Sequence, residues 1–277
     1  MGISAFCGEA SADPSAAGVI SYDEGSTPSS GGFTDPTAAL GTPERFTGNG
    51  VVSSFNPPWK TDETVSIGEG GEITLRLSHF AVPLPGGPEI GVFTNAGLFD
   101  TAYPTGIAGN PATLFGDSDH ATVDVSDDGL NWVAIGDVAF DIPTNGYTDL
   151  TDPYATAPAT APADFRQPFT GDLGSFDGLS YYDAGGTDIL DALAGSGGGT
   201  WLDISPSGLD RVAYVRFSVA DDHDAATSLN FDLDALSIAH GAAGGAVPEP
   251  AAWTLVLMAI SAEILRRGRD AAARPRS

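Results

Sequence analysis

The sequence predicts an all-β fold of antiparallel sheets, and three observations carry that expectation. Apolar runs are short and are broken throughout by Gly, Asp, Asn and Pro. Gly 36 and Pro 20 form about a fifth of the 277 residues, a turn-rich composition below the level of a disordered chain. Ile73, Leu75 and Leu77 alternate with Thr74, Arg76 and Ser78. This period of two puts one set of side chains on each face of a half-buried strand. Ala121, Val123 and Val125 alternate with Thr122 and Asp124, Ser126-Asp127-Asp128-Gly129 turns, and Asn131 to Ile135 returns. Asp-Gly between two such runs marks a hairpin, because glycine accepts the positive φ that a tight turn needs.

The other elements follow in chain order. Val19 to Tyr22 reads as a first strand and is followed by a Gly/Ser/Pro-rich loop. Leu40 to Pro43 is a turn, and Val51 to Phe55 and Thr64 to Ile67 are short strands. Gly70-Gly71 turns into the alternating strand, and Ile90 to Thr94 is another. Pro143 to Gly199 is an irregular insertion rich in Ala, Pro, Gly and Asp, with one or two helical turns over Asp188 to Ala194. Strands resume at Trp201 to Ile204, Arg211 to Val219 and Asn230 to Ala239. The expected division is an arm over 1–18, one sandwich domain over 19–240 containing the insertion at 143–200, a Gly/Ala linker over 241–246, and a tail over 247–277.

The net charge of -26 is unevenly spread. Five of the eleven basic residues fall in the last twelve positions, whereas all but three of the 37 acids lie in the first 246 residues. A body this acidic repels nucleic acid and anionic surfaces. It suits divalent cations or a salty exterior, and it also serves plain solubility. The single cysteine, Cys7, excludes an intrachain disulfide and thiolate zinc sites. Phe6 before it excludes a lipoprotein signal. Ala10-Ser11-Ala12 before Asp13 has the small-x-small pattern of a secretory cleavage site. The first residues are therefore read either as the remnant of a signal peptide or as a flexible arm.

The tail has three parts in order. Val247-Pro248-Glu249-Pro250 precedes an apolar run containing Trp253, Leu255, Val256, Leu257 and Ile260, and the basic residues Arg266, Arg267 and Arg269 follow. This order resembles the PEP-CTERM sorting signal of bacterial surface and exopolysaccharide-associated proteins. The resemblance implies an exosortase, a membrane transpeptidase, as partner. It also implies anchoring in the inner membrane before processing, then transfer to the cell surface or extracellular matrix. The arginines suit the cytoplasmic side, and the prolines keep helix from running back into the linker. Ala251 to Leu265 is fifteen residues and includes Glu263, shorter than the roughly 20 residues of a full span. A short hydrophobic helix is expected there, either as an anchor or as a peripheral amphipathic tail.

The body carries a second resemblance. The stretches Val65 to Leu75, Gly91-Val92-Phe93-Thr94-Asn95, Val123 to Trp132, Tyr214 to Phe217 and Phe231 to Leu236 resemble, in this order, the strands of discoidin-like and galactose-binding-like surface domains. This implies an antiparallel β-sandwich of jelly-roll type over roughly Val19 to Ala239. Thr94 stands where relatives often have glutamate, so no role is carried over to it.

Site candidates are few. Asp232 and Asp234 lie two apart and share one face of a strand, with Leu236 and Ile238 expected to continue that face. Carboxylates beside a core face need a partner, and a calcium ion with Asp23 and Glu24 as further ligands would supply one. The competing reading places both at a solvated sheet rim. Asp221 to Asp224 is a solvated acidic loop without EF-hand spacing, and the four histidines form no H-x-x-x-H pair. No Gly-x-Ser-x-Gly elbow and no phosphate loop occurs. Trp59, Trp132, Tyr181 and Tyr182 could stack on sugar rings, although Trp132 beside a hairpin suits cross-strand packing. The expectation is a non-catalytic surface or matrix protein, adhesive or carbohydrate-binding, with extracellular polysaccharide as partner. A secreted carbohydrate-acting hydrolase is the alternative.

Overall fold

The computed structural model describes residues 13–116, 118–221 and 230–248. The cleavage-site motif, Asp222 to Asp224, Glu249 and Pro250, the apolar tail run and the terminal arginines lie outside them. Ten strands and one short helix are present among the described residues. They are β1 (Ala16–Asp23), β2 (Val65–Gly68), β3 (Glu72–Ala81), β4 (Ile90–Thr94), β5 (His120–Ser126), β6 (Val133–Ala139), α1 (Ile189–Leu193), β7 (Thr200–Leu202), β8 (Val212–Ser218), β9 (Asn230–Ile238) and β10 (Ala243–Ala246).

The strands form two antiparallel sheets, and the fold is the expected jelly-roll sandwich. One sheet runs β1-β3-β8-β5-β6, with β10 also on β3, and the other runs β2-β9-β4-β7. From β2 to β9 the chain crosses between the sheets at every step except the β5–β6 hairpin, which interleaves two Greek keys. The alternation of β3 holds: Ile73, Leu75 and Leu77 are fully buried. They meet Val123 and Val125 of β5, Val215 and Phe217 of β8, and the Val65, Ile67, Phe231 and Leu233 set of the other sheet in one core. Phe140, Phe217 and Phe231 pack edge-to-face or tilted across the sheet interface with ring centroids 4.9–5.9 Å apart.

The Asp-Gly hairpin also holds, and its chemistry is explicit. Asp128 Oδ1 accepts the backbone N–H groups of Leu130 and Asn131 at 2.8 Å each. Ser126 Oγ accepts the Gly129 N–H at 2.9 Å. These side-chain acceptors occupy the turn, so β6 starts at Val133 rather than Asn131.

Two expectations are corrected, and a third gains detail. Val51 to Phe55 is buried but is not a strand, because Ser53 and Asn56 close a tight turn by exchanging backbone hydrogen bonds. The Gly/Ala segment read as a linker carries β10, whose approach is completed by the Val82 N–H bond to the Ala242 carbonyl at 2.8 Å. Small residues allow that edge pairing, since a Cβ on Gly244 would stand 2.9 Å from Val82. The insertion is irregular in secondary structure as expected, yet it is packed. Tyr147, Leu150, Phe176, Tyr181, Ile189 and Leu193 build a second apolar cluster with Val51, Phe55 and Leu98. Periodicity could not reveal it, because apart from Ile189 and Leu193 on α1 its members come from turns that repeat neither every two nor every 3.6 residues.

The insertion is tied down by polar contacts as well. Asp188 caps α1 through the Asp191 N–H at 2.8 Å, and Ala194 ends the helix in the left-handed conformation at φ 51. Arg45 donates to the carbonyls of Gly146 and Ala163 at 2.8 and 2.7 Å and lies 3.9 Å over the Phe165 ring. Gly198 has φ +76, and a Cβ there would meet the Pro143 carbonyl oxygen at 2.0 Å, so this corner requires glycine.

Candidate functional site

A cleft of about 1080 Å³ opens at the end of the sandwich where β4 finishes and β5 and β9 begin. Its walls are aromatic and its floor is polar. Trp59, Phe99, Tyr103 and Phe115 are 52%, 46%, 75% and 79% exposed, a concentration of large rings in water that core packing does not explain. Each is held by local chemistry. Buried Glu63 accepts the Trp59 and Lys60 N–H groups at 3.2 and 3.1 Å and so fixes the loop that presents Trp59. The Phe99 N–H bonds the Thr113 carbonyl and the Phe115 N–H bonds the Gly97 carbonyl, both at 2.8 Å. Two extended arms thereby carry Phe99 and Phe115. Pro57 packs so closely on Gly97 that a Cβ would lie 2.8 Å from its ring.

Asp100 organises the third wall. Its carboxylate accepts the N–H groups of Ala102, Gly106 and Ile107 at 2.9–3.0 Å and the Tyr154 hydroxyl at 3.1 Å. Burial works against its charge, but these donors outweigh it and lower its pKa. Tyr154 meets Tyr103 edge to face at 5.1 Å. Burial, then the Asp100 charge, raises the Tyr154 pKa.

The floor holds Asn95, Ser118, Asp119, Asn230 and Asp232. Ser29 Oγ lies 3.0 and 2.8 Å from the two Asp232 oxygens, Asn95 Nδ2 donates at 2.9 Å and Asn230 Nδ2 at 3.1 Å. Hydroxyl and amide donors thus balance this carboxylate without a cation. Asp119 differs. Its side chain is buried and its Oδ2 has no hydrogen-bond partner. Burial, reinforced by the Asp232 charge, raises its pKa well above the usual carboxylate range, and the Asp232 backbone N–H only partly opposes this.

The sequence candidates fall in several places. Asp232 and Asp234 do share a face, and both are buried, which removes the solvated-rim reading. Leu236 and Ile238 do not continue that face. The β4–β9 register shifts between Phe93/Ala235 and Thr94/Leu233, and this bulge turns Leu236 and Ile238 to the side of Leu233. Asp234 lies under the chain at Glu44, whose N–H it accepts at 3.2 Å. Asp23 and Glu24 are exposed at the end of β1, where Asp23 accepts the Gly25 N–H at 3.1 Å. Near them, burial first and the Glu24, Asp23 and Asp232 charges second push Tyr22 up to about 12. Among the described residues no group of three or more His, Cys, Asp or Glu converges as a metal site.

Of the proposed stacking residues, Trp59 lines the cleft. Trp132 sits under Arg216 at 4.5 Å, and Arg216 Nη2 pairs with Asp124 at 2.7 Å. Tyr181 is buried and donates to Asn145 Oδ1 at 2.9 Å. Tyr182 is exposed but does not line the cleft. Sequence reasoning missed Phe99, Tyr103, Phe115 and Asp119, which stand in the β4–β5 connection. The available signal was three aromatics within a Gly/Pro/Asn-rich stretch that lacks strand alternation.

Fold and cleft together define a jelly-roll β-sandwich with an aromatic-walled, acid-floored cleft at one end. No family model and no curated protein matches the chain. Among the described residues no helix is long and apolar enough to cross a membrane.

Proposed function

We propose that this chain is an exported surface or matrix protein whose sandwich binds polysaccharide in the aromatic cleft without transforming it, and whose tail from Val247 is a sorting signal for an exosortase. One observation carries the binding reading: Trp59, Phe99, Tyr103 and Phe115 stand exposed around one concavity. Aromatic faces stack on the C–H faces of sugar rings, and polar groups at the floor can meet hydroxyls. The acidic body favours neutral or cation-bridged polymers over polyanions.

The test is binding of the full-length chain to a glycan array. Trp59→Ala and Tyr103→Ala are each expected to weaken the best glycan about tenfold, or ~1.4 kcal/mol, with unchanged melting. Wild-type affinity in both variants refutes the cleft as the site. A secreted hydrolase is the second reading, favoured by the two carboxyl groups of Asp119 and Asp232 in one cleft. Glycoside turnover by the full chain would put that reading in place of binding.

The sorting reading rests on the order Pro-Glu-Pro, apolar run and arginines. Mature protein isolated from its source is expected to lack its last residues. Intact-mass measurement that finds Ser277 on the mature protein contradicts processing.

A further inference from the structure

We propose that Asp119 is the polar residue that reads the ligand in this cleft, its unpartnered Oδ2 being completed by a hydroxyl of an uncharged sugar. The inference rests on the carbohydrate reading of the cleft and adds a specificity to it. Three features single out Asp119 among the floor groups. It is 9% exposed yet lines the cavity. Its Oδ2 is a buried oxygen without a hydrogen-bond partner, an unfavourable state that a ligand can relieve. The neighbouring acceptor, Asp232, is already satisfied by Ser29, Asn95 and Asn230, which leaves Asp119 Oδ2 as the open acceptor at the floor; it is shielded from water as it stands, so a turn of the Asp119 side chain brings it to a ligand.

The charges facing Asp119 set the sign of the selection. Asp232 on β9 and Asp141 beyond β6 are both acidic neighbours, and Ser118 Oγ is hydrogen-bonded to Asp141. His120, next in the chain, has Asp137 at 4.0 Å. Burial favours the neutral acid form of Asp119, in which it is both donor and acceptor. A sugar hydroxyl is also both, so the two fit in either direction. A uronate carboxylate would instead meet Asp232 and Asp141 with like charge; among the described lining residues only His120 can carry positive charge, and Asp137 already faces it at 4.0 Å.

The test uses full-length protein and a panel of neutral polysaccharides (glucan, galactan, mannan) beside polygalacturonate and alginate. The wild type is expected to prefer a neutral polymer at least tenfold, both at low salt and at about 0.5 M salt, where the long-range field of the acidic surface is screened. Asp119→Asn keeps a donor and an acceptor and is expected to bind within threefold of wild type. Asp119→Leu is expected to lose at least tenfold. A folded Asp119→Leu that binds like wild type overturns the proposal, as does a folded Asp119→Asn that loses more than tenfold. If Asp119→Leu does not fold, the Asp119→Asn affinity and the wild-type selectivity at high salt decide, and equal binding of polyuronates overturns it. A wild type that binds no glycan at all strikes the carbohydrate reading itself, which keeps the two failures apart.

Discussion

Phe217→Ala is expected to destabilise the sandwich by about 3–5 kcal/mol, a large part of the roughly 5–15 kcal/mol that holds a domain folded. Phe217 is fully buried on β8 and lies 5.9 Å from Phe140 and 5.1 Å from Phe231, centroid to centroid. Phe231 belongs to the other sheet, so truncation opens a void at the place where the sheets meet. The melting temperature should fall by roughly 6–20 °C, at about 2–4 °C per kcal/mol for a domain of this size. Phe217→Leu should cost less, about 1–2 kcal/mol, because most of the volume is kept. Equilibrium urea unfolding measures both. A Phe217→Ala loss below about 1 kcal/mol would mean that the aromatic trio is not central to the core.

Stability is expected to peak at mildly acidic pH and to decline toward pH 8, and Asp234→Asn should flatten that decline. Burial, with the Glu44 and Glu63 charges adding to it, raises the Asp234 pKa well above the usual range, and the Glu44 N–H only partly compensates. Burial also raises Asp119 and, with the Glu63 charge, Glu44. The folded state therefore holds protons that the unfolded chain releases, so stability is greatest below the unfolded value near 3.9–4.3 and falls as pH rises toward the folded values.

At low pH the opposite set acts. The Thr37 hydroxyl and N–H lower Asp35, and the Thr160 hydroxyl and neighbouring N–H groups lower Asp149. The N–H groups of Asn131 and Leu130 bring Asp128 to about 2. Their contribution is present above about 3.9 and is lost as pH falls through the folded values. Melting scans from pH 3 to 9 test the shape. In Asp234→Asn the amide has no charge to bury, so the variant should melt a few degrees above wild type at pH 8, and the gap should narrow as pH falls and close near the unfolded value of about 3.9. Equal melting of the two proteins at pH 8 would mean that no ionisation cost resides at Asp234.

These titrations also explain how so acidic a body folds. Only six lysines and arginines serve the first 246 residues. Beside ion pairs such as Arg216–Asp124, several acids are balanced by backbone N–H and hydroxyl donors, as at Asp100, Asp128 and Asp188. Such caps neutralise a carboxylate locally and need no cation.

The sheet-forming elements were legible from local residue patterns. Alternation at Ile73, Leu75 and Leu77 and the Asp128-Gly129 turn are local signals, because side-chain periodicity and turn chemistry are written within a few residues. The one or two helical turns expected over Asp188 to Ala194 are present as α1, which Asp188 caps. The features that escaped local reading are non-local. The bulge on β9 reversed the face expected for Leu236 and Ile238, since register depends on the partner strand and not on β9 alone. The insertion's core formed among residues whose spacing has no period. The cleft joins Trp59 before β2, Phe99 and Phe115 between β4 and β5, and Asp232 on β9. No local pattern can announce such a meeting, because it is produced by the crossings of the jelly roll, which bring loops distant in sequence to one end of the two sheets.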